Sequence, residues 1–196
     1  VDDSVDDGDQ DTMVTISVDD DNSDNAFDGL ADQTVTATTT DNDTAAFILS
    51  TTTASVTEAG STDTFTVVLD TQPLSDVVFT VVSADTGEAT VSPATLTFAT
   101  GNWNATQTVT VTGIDDTIDD GDQSTKITIA VDDDNSDNAF DGLAHQTVTA
   151  TTTDDDTAAF TLSTNTASVT EAGSTATFTV VLDTQPLSDV VVAVSS

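Results

Sequence analysis

The sequence predicts an all-β protein built of seven-stranded antiparallel β-sandwiches in tandem. Three observations predict it. Apolar residues alternate with Thr and Ser at period two along most of the chain. No stretch shows a helical 3.6 period with caps. The chain also repeats itself at an offset of 113 residues, close to an ordinary domain length.

The repeat comes first because it sets the boundaries. VDDSVDDGDQ at Val1 to Gln10 returns as IDDTIDDGDQ at Ile114 to Gln123, and SVTEAGST at Ser55 returns at Ser168. Residues 1–83 align with 114–196 without a gap, and only 15 of those 83 positions differ. TTTDNDTAA at Thr38 and TTTDDDTAA at Thr151 read as linkers. The expected organisation is the back part of one repeat over 1–43, a complete repeat over 44–156, and the front part of the next over 157–196.

Within the complete repeat the strands follow in order. FILS at Phe47 and TASVT at Thr53 open it. TFTVVLD places Phe65, Val67 and Leu69 on one face, and DVVFTVV, EATVS and TLTF follow. TQTVTVTGI turns Val109 and Val111 inward, TKITIAV turns Ile127, Ile129 and Val131 inward, and QTVTATT closes the unit. Thr is β-branched and polar, so it suits the outer faces. About seven short strands in about 110 residues read as a sandwich. Trp103 is expected to plug one end of the core.

Composition narrows the function. The 196 residues include 36 Asp and Glu, one Lys, no Arg, one His and no Cys, for a net charge of −35. A basic surface for nucleic acid is absent, and an anionic membrane would repel the chain. Without Cys there is no disulfide framework, thiolate zinc site or thiol nucleophile. No run of 18 apolar residues is long enough to span a bilayer, and VDDSVDDGDQ does not read as a secretory signal. No GxSxG, Walker loop or HExxH occurs. His145 aligns with Asp32 and Lys126 with Met13, as a catalytic pair would not. A sugar-cleaving carboxylate pair would need an aromatic cleft, and the chain has no Tyr and one Trp. The reading is not an enzyme.

The acids are placed unevenly. If consecutive strands A to G alternate up and down, the A–B, C–D and E–F loops and the end of G share one pole. Those segments carry Glu58, Asp85, Glu88, Asp115, Asp116, Asp119, Asp120, Asp122, Asp154, Asp155 and Asp156. Two carboxylates about 4 Å apart repel by roughly 1 kcal/mol in water and about 4 kcal/mol at an effective dielectric of 20. One Lys cannot offset that. Ca²⁺ accepts 6–8 oxygen ligands in flexible geometry, whereas Mg²⁺ demands a strict octahedron and zinc prefers His or Cys. A salt-adapted surface would spread its acids over the strand faces, which here are Thr and Ser. Calcium is the expected cofactor. The F–G loop DDDNSDNAFDGL is a second candidate. Asp132, Asp134, Ser136 and Asn138 alternate in it like the first ligands of a calcium loop, without the Glu at position twelve.

At these residues the unit resembles the Calx-β domain family. The resemblance covers Phe47 to Asp156 and rests on Val56-Thr57-Glu58-Ala59-Gly60, NWNATQTVTVTG at Asn102, the acidic loop IDDTIDDGD and the terminal DDD. It departs from the family in DTGEATVSP at Asp85. The resemblance implies an immunoglobulin-like sandwich with calcium at one pole. The ligands it implies are Glu58; Asp115, Asp116, Asp119 and Asp120; Asp154, Asp155 and Asp156; and Asp85 in mid-domain. Their copies in the flanking pieces are Asp2, Asp3, Asp6, Asp7, Asp41, Asp43 and Glu171. It also implies tandem arrays in large bacterial secreted or surface proteins of adhesin type.

The expectation is therefore a calcium-stabilised extracellular or cell-surface repeat forming a stalk, spacer or filament. Its partners would be neighbouring repeats of the same chain or identical chains. Nucleic acid and direct membrane insertion are excluded, and any carbohydrate or cell-surface ligand would bind through domains outside these residues. Two alternatives stand beside it. One is a filament subunit completed by strand exchange between chains. The other is a calcium-dependent carbohydrate-binding module that uses Phe140 or Trp103.

Overall fold

The computed structural model describes residues 2–196. Its strands are β1 Gln10–Ile16, β2 Gln33–Thr39, β3 Phe47–Leu49, β4 Thr53–Thr57, β5 Thr62–Leu69, β6 Val77–Ser83 and β7 Ala89–Ser92. They continue with β8 Thr95–Phe98, β9 Gln107–Gly113, β10 Gln123–Val131, β11 Gln146–Thr153, β12 Phe160–Leu162 and β13 Val180–Leu182. Helix is confined to single 3₁₀ turns.

Two sheets carry the core. One has the order β4-β11-β10-β6-β8 and the other β3-β5-β9-β7. Their apolar faces meet in one buried cluster. Phe65, Val67, Val109 and Val111 come from the four-stranded sheet, and Phe79, Val81, Ile127, Ile129 and Val148 from the five-stranded one. Alternation decides this, because every second residue of a strand points to the same face. Phe79 stacks at 4.7 Å from Phe47 and edge-on to Phe98 at 5.9 Å, joining the two sheets. Trp103 is half-buried against this cluster, in the connection between β8 and β9.

The core-bearing sheets hold nine strands rather than seven. The opening segment breaks at Ser50–Thr52 and changes sheets, so β3 pairs with β5 while β4 pairs with β11. The segment from Ala89 to Phe98 divides in the same way, with β7 on β9 and β8 on β6. The pairing is also not wholly antiparallel. β4 runs parallel to β11, in register from Thr53 opposite Thr149 to Thr57 opposite Thr153. An edge strand arriving from the other sheet runs in the direction that the crossing leaves it.

The flanking pieces keep the register of their copies. Val14 faces Val35 in β1–β2 as Ile127 faces Val148 in β10–β11. Phe160 faces Leu182 in β12–β13 as Phe47 faces Leu69 in β3–β5. β1 and β2 are exposed along their whole length.

Candidate metal centre

The parallel pair β4–β11 builds the site. Because the two strands run the same way, they end side by side, and the residues just beyond Thr57 and Thr153 meet. Glu58 donates its backbone N–H to the Thr153 carbonyl at 3.1 Å. Its side chain is only 1% exposed, and Oε2 accepts the Asp155 N–H at 3.3 Å. Carboxylate oxygens of Glu58, Asp154 and Asp156 lie within 4.8 Å of one another. Two ligands on one calcium ion are at most about 5 Å apart, twice a bond of about 2.4 Å. The trio fits that limit.

Register delivers the remaining acids. The acidic loop joins β9 to β10, and β10 begins at Gln123 opposite Thr152. The loop therefore passes Asp154, whose carboxylate accepts the N–H of Gly121 at 2.7 Å and of Asp156 at 2.8 Å. Gly121 has φ +77°, a backbone conformation open to glycine and costly for other residues. Glu88 precedes β7, whose Ala89 lies opposite Gly113, so Glu88 meets the root of the same loop. The Glu88 carbonyl accepts the Ile114 N–H at 2.9 Å.

The electrostatics describe a pole with too much negative charge. Burial pushes the Glu58 carboxyl above its ordinary range, and Asp154, Asp116 and Glu88 add to the shift. Glu88 is raised by burial and then by Asp120, Asp116, Asp85 and Asp154. Asp156 is raised by burial and then by Asp154, Asp155, Asp115 and Asp116. Asp154 moves the other way, because the N–H groups of Asp156 and Gly121 stabilise its charge. Two buried carboxylate oxygens at this pole, Asp156 Oδ2 and Glu88 Oε2, have no hydrogen-bond partner. Buried polar atoms are nearly always partnered, and a proton or a cation would supply the partner that these two acceptors lack. All the donors are hard oxygens, which suits Ca²⁺ or Mg²⁺ and not zinc.

The other sequence-predicted residues fall into four groups. Asp116 is half-buried, with Oδ1 bound to the Ile118 N–H, and with Asp115 and Asp120 it faces the crowded acids. Asp155 is exposed and reaches Glu58 through its backbone. Asp85 is exposed, and Oδ1 is held by the N–H of Gly87 in its own turn. Asp119 points elsewhere, with Oδ2 accepting the Ala158 N–H at 2.6 Å.

The copies around residues 2–43 repeat part of this pattern. Asp41 accepts the N–H groups of Asp7, Gly8 and Asp43, as Asp154 does those of Gly121 and Asp156. Asp43 is raised by burial and then by Asp41, Asp2, Asp3 and Asp6. Glu171 is exposed. Among the described residues, the Glu58 trio is the one set of three side chains that converges closely enough for a metal. Glu88 carries more of the pole than its sequence context signals. It lies in residues 84–113, of which the chain holds one copy, so no repeat flags it.

The F–G loop is built differently from a cation loop. Ser136 Oγ donates to the Val78 carbonyl and accepts the Val78 N–H. Asp132 accepts from the Asn135 side chain. Asp137 is buried, and its carboxylate takes the N–H groups of Leu74, Ser75 and Ala139. These side chains fasten the loop to the connection between β5 and β6. Phe140 is 1% exposed and sits in the core. Of the two aromatics proposed for a sugar surface, one is therefore buried and the other, Trp103, is half-buried against the core.

No helix among the described residues is long and apolar enough to cross a membrane. No family model matches the chain. No curated protein matches it. Among solved structures it is similar to domains 4 and 5 of the S-layer protein SbsC, with 22% identity over 74% of this chain and 58% of that one and a TM-score of 0.44. It is also similar to SSP-19, an MSP-domain protein-like family member of Caenorhabditis elegans, with 18% identity over 54% of this chain and 98% of that one and a TM-score of 0.39. A third is the Escherichia coli chaperone DraB, at 9% identity over 55% of each chain and a TM-score of 0.41. Likenesses this distant do not bear on what the chain does.

Proposed function

We propose that residues 44–156 form a calcium-stabilised, non-catalytic structural repeat of an extracellular or cell-surface protein, of the Calx-β type. The observation that carries this reading is the buried Glu58 carboxyl converging with Asp154 and Asp156, beside two buried acceptor oxygens that have no partner. Glu58, Asp154 and Asp156 hold the ion, and Asp116 and Glu88 face the same space. The ion supplies positive charge where the fold has gathered negative charge. The residues quoted for the Calx-β resemblance are those that supply this pole, and that supports calcium over magnesium. An extracellular setting would supply enough calcium for such a site. Calcium modules of extracellular proteins have Kd values of about 10⁻⁴–10⁻³ M, which free calcium outside cells meets. The near-identical flanking copies support a role as a stalk or spacer made of such units in line.

The stabilisation is linkage. A ligand that binds only the folded state adds about 2.7 kcal/mol at 100 times its Kd. For a domain of this size that raises Tm by on the order of 10 °C. Thermal unfolding in EGTA, Ca²⁺ and Mg²⁺ at fixed ionic strength tests the reading. A rise specific to Ca²⁺ is expected. An equal rise with Mg²⁺ or with NaCl alone would replace a defined site with general charge screening.

A further inference from the structure

One side chain of the acidic loop reaches across to the following unit, and the same contact occurs twice. Asp119 Oδ2 accepts the Ala158 N–H at 2.6 Å, and 113 residues earlier Asp6 Oδ2 accepts the Ala45 N–H at 2.7 Å. The Thr117 carbonyl accepts the Gln185 N–H at 2.7 Å, and the Ser4 carbonyl accepts the Gln72 N–H at 2.7 Å. Each contact joins the acidic loop of one unit to the backbone of the unit that follows. Between the two contacts lies an apolar residue at the loop tip. Ile118 lines a cleft of about 330 Å³ with Ala158, Phe160, Leu182, Pro186 and Val190 of the following piece. Its copy, Val5, is half-buried. In the complete unit the equivalent Ala45, Phe47, Leu69 and Val77 belong to that unit's own hydrophobic core, and Pro73 is buried, so the cleft is largely the open core of the partial following repeat.

We infer that the tip of the acidic loop is a docking element for the next copy of the unit. Ile118 (Val5 in the preceding copy) is a knob at the entry of the following unit, beside Ala158 and Pro186, and Asp119 (Asp6) clamps the backbone amide of Ala158 (Ala45). A carboxylate accepting a backbone N–H makes a charge-assisted bond, roughly twice as strong as a neutral one. An apolar side chain flanked by acids is otherwise poorly placed, because the segment around it prefers water. Packing beside Ala158 and Pro186 of the following unit gives it a partner. Both contacts are direct hydrogen bonds between protein groups, so the docking is argued independently of the pole. The inference stands on the repeat and not on the metal reading.

Absence of native cysteine makes disulfide trapping clean. The full chain is prepared as Ser4→Cys/Gln72→Cys and, separately, as Thr117→Cys/Gln185→Cys. Oxidation rates are compared in native buffer and in urea, with Trp103 fluorescence reporting that the complete unit is folded. Docking holds the paired positions together, so both pairs should close at least about tenfold faster natively than in urea, where only chain collision joins them. Val5→Asp should return the first pair to near its urea rate and leave the second pair unchanged. Val5→Ala is the milder variant should Asp disturb folding. Addition of EGTA to protein whose Trp103 signal stays native should leave the native rates in place. Equal rates in native buffer and urea would overturn the inference, as would indifference of the first pair to both Val5 variants. Loss of trapping in EGTA while the unit remains folded would make the joint cation-held and would overturn it equally.

Discussion

Replacing Glu58 by Gln has opposite effects with and without calcium. The carboxyl is buried among Asp154, Asp116 and Glu88, and burial alone already disfavours its charge. Gln keeps the shape and removes that charge, so in EGTA the variant should melt higher than the parent. In calcium it lacks a ligand. Losing an outer-shell group costs a metal site about 10–100-fold in affinity, and losing a ligand should cost at least as much. The two melting curves should therefore cross in order between EGTA and calcium. If Gln lowers Tm equally in both, Glu58 is a structural acid. The same groups set a pH dependence. Glu58, Glu88 and Asp156 are raised, so the native state keeps protons that the unfolded chain has released. Stability then falls as pH rises from the ordinary carboxylate range, about 4, through their raised values. Asp154 is lowered and contributes the reverse, a stabilisation present above the ordinary range and lost as pH falls through its depressed value. In EGTA the three raised groups should prevail, and urea midpoints should decline as pH rises above the ordinary carboxylate range. Calcium, by favouring the ionised forms, should flatten that decline.

The element that most directly couples core to site is β9, through its last residue. A Cβ on Gly113 would collide with the Thr57 carbonyl and lie 3.2 Å from Val56 Cγ2. β9 therefore passes β4 where only hydrogen fits, and this close passage brings the root of the acidic loop beside Glu58. Gly113→Ala should cost about 1–3 kcal/mol, the usual range for overpacking, and weaken calcium binding at the same time. A stability loss with unchanged calcium affinity would separate the two. Such contacts mark the boundary of what the sequence makes legible. Strand faces were legible, because Phe65, Val67 and Leu69, or Ile127 and Ile129, carry their burial in alternation. The shared pole of Glu58, Asp154 and Asp156 followed from strand direction alone. The crossing between β3 and β4 was not legible, since FILS and TASVT each look like part of one opening strand. The pairing of β4 with β11 was hidden for the same reason: the partner lies about 96 residues away in register, although alternation already made the two strands run the same way. Strand direction also put Glu88 at the pole, but its burial there, which comes from loops distant in sequence, was not legible from DTGEATVSP.

Across the whole molecule, a charge of −35 acts alongside the local site. Repulsion between distant exposed acids is screened by any salt, whereas a buried carboxyl such as Glu58 is screened much less. The screening length falls from about 30 Å at 0.01 M to about 3 Å at 1 M ionic strength. In EGTA, raising NaCl across that range should therefore raise Tm steadily. With calcium saturating, the same salt series should give a smaller rise. A salt response of equal size in both conditions would mean that the poles are not where the destabilising charge resides.

The parallel pairing of β4 with β11 has a mechanical consequence. The chain enters β4 at Thr53 and leaves β11 at Thr153, opposite ends of one ladder. A pull along a line of such units drags the two strands past each other. Its rungs then share the load in shear and must fail together, where a hairpin would peel open one bond at a time. Glu58, Asp154 and Asp156 converge at the exit end of that ladder, just beyond both strands. Calcium should therefore act as a rivet at the point of greatest tension, and single-molecule stretching should show a higher rupture force with calcium than with EGTA.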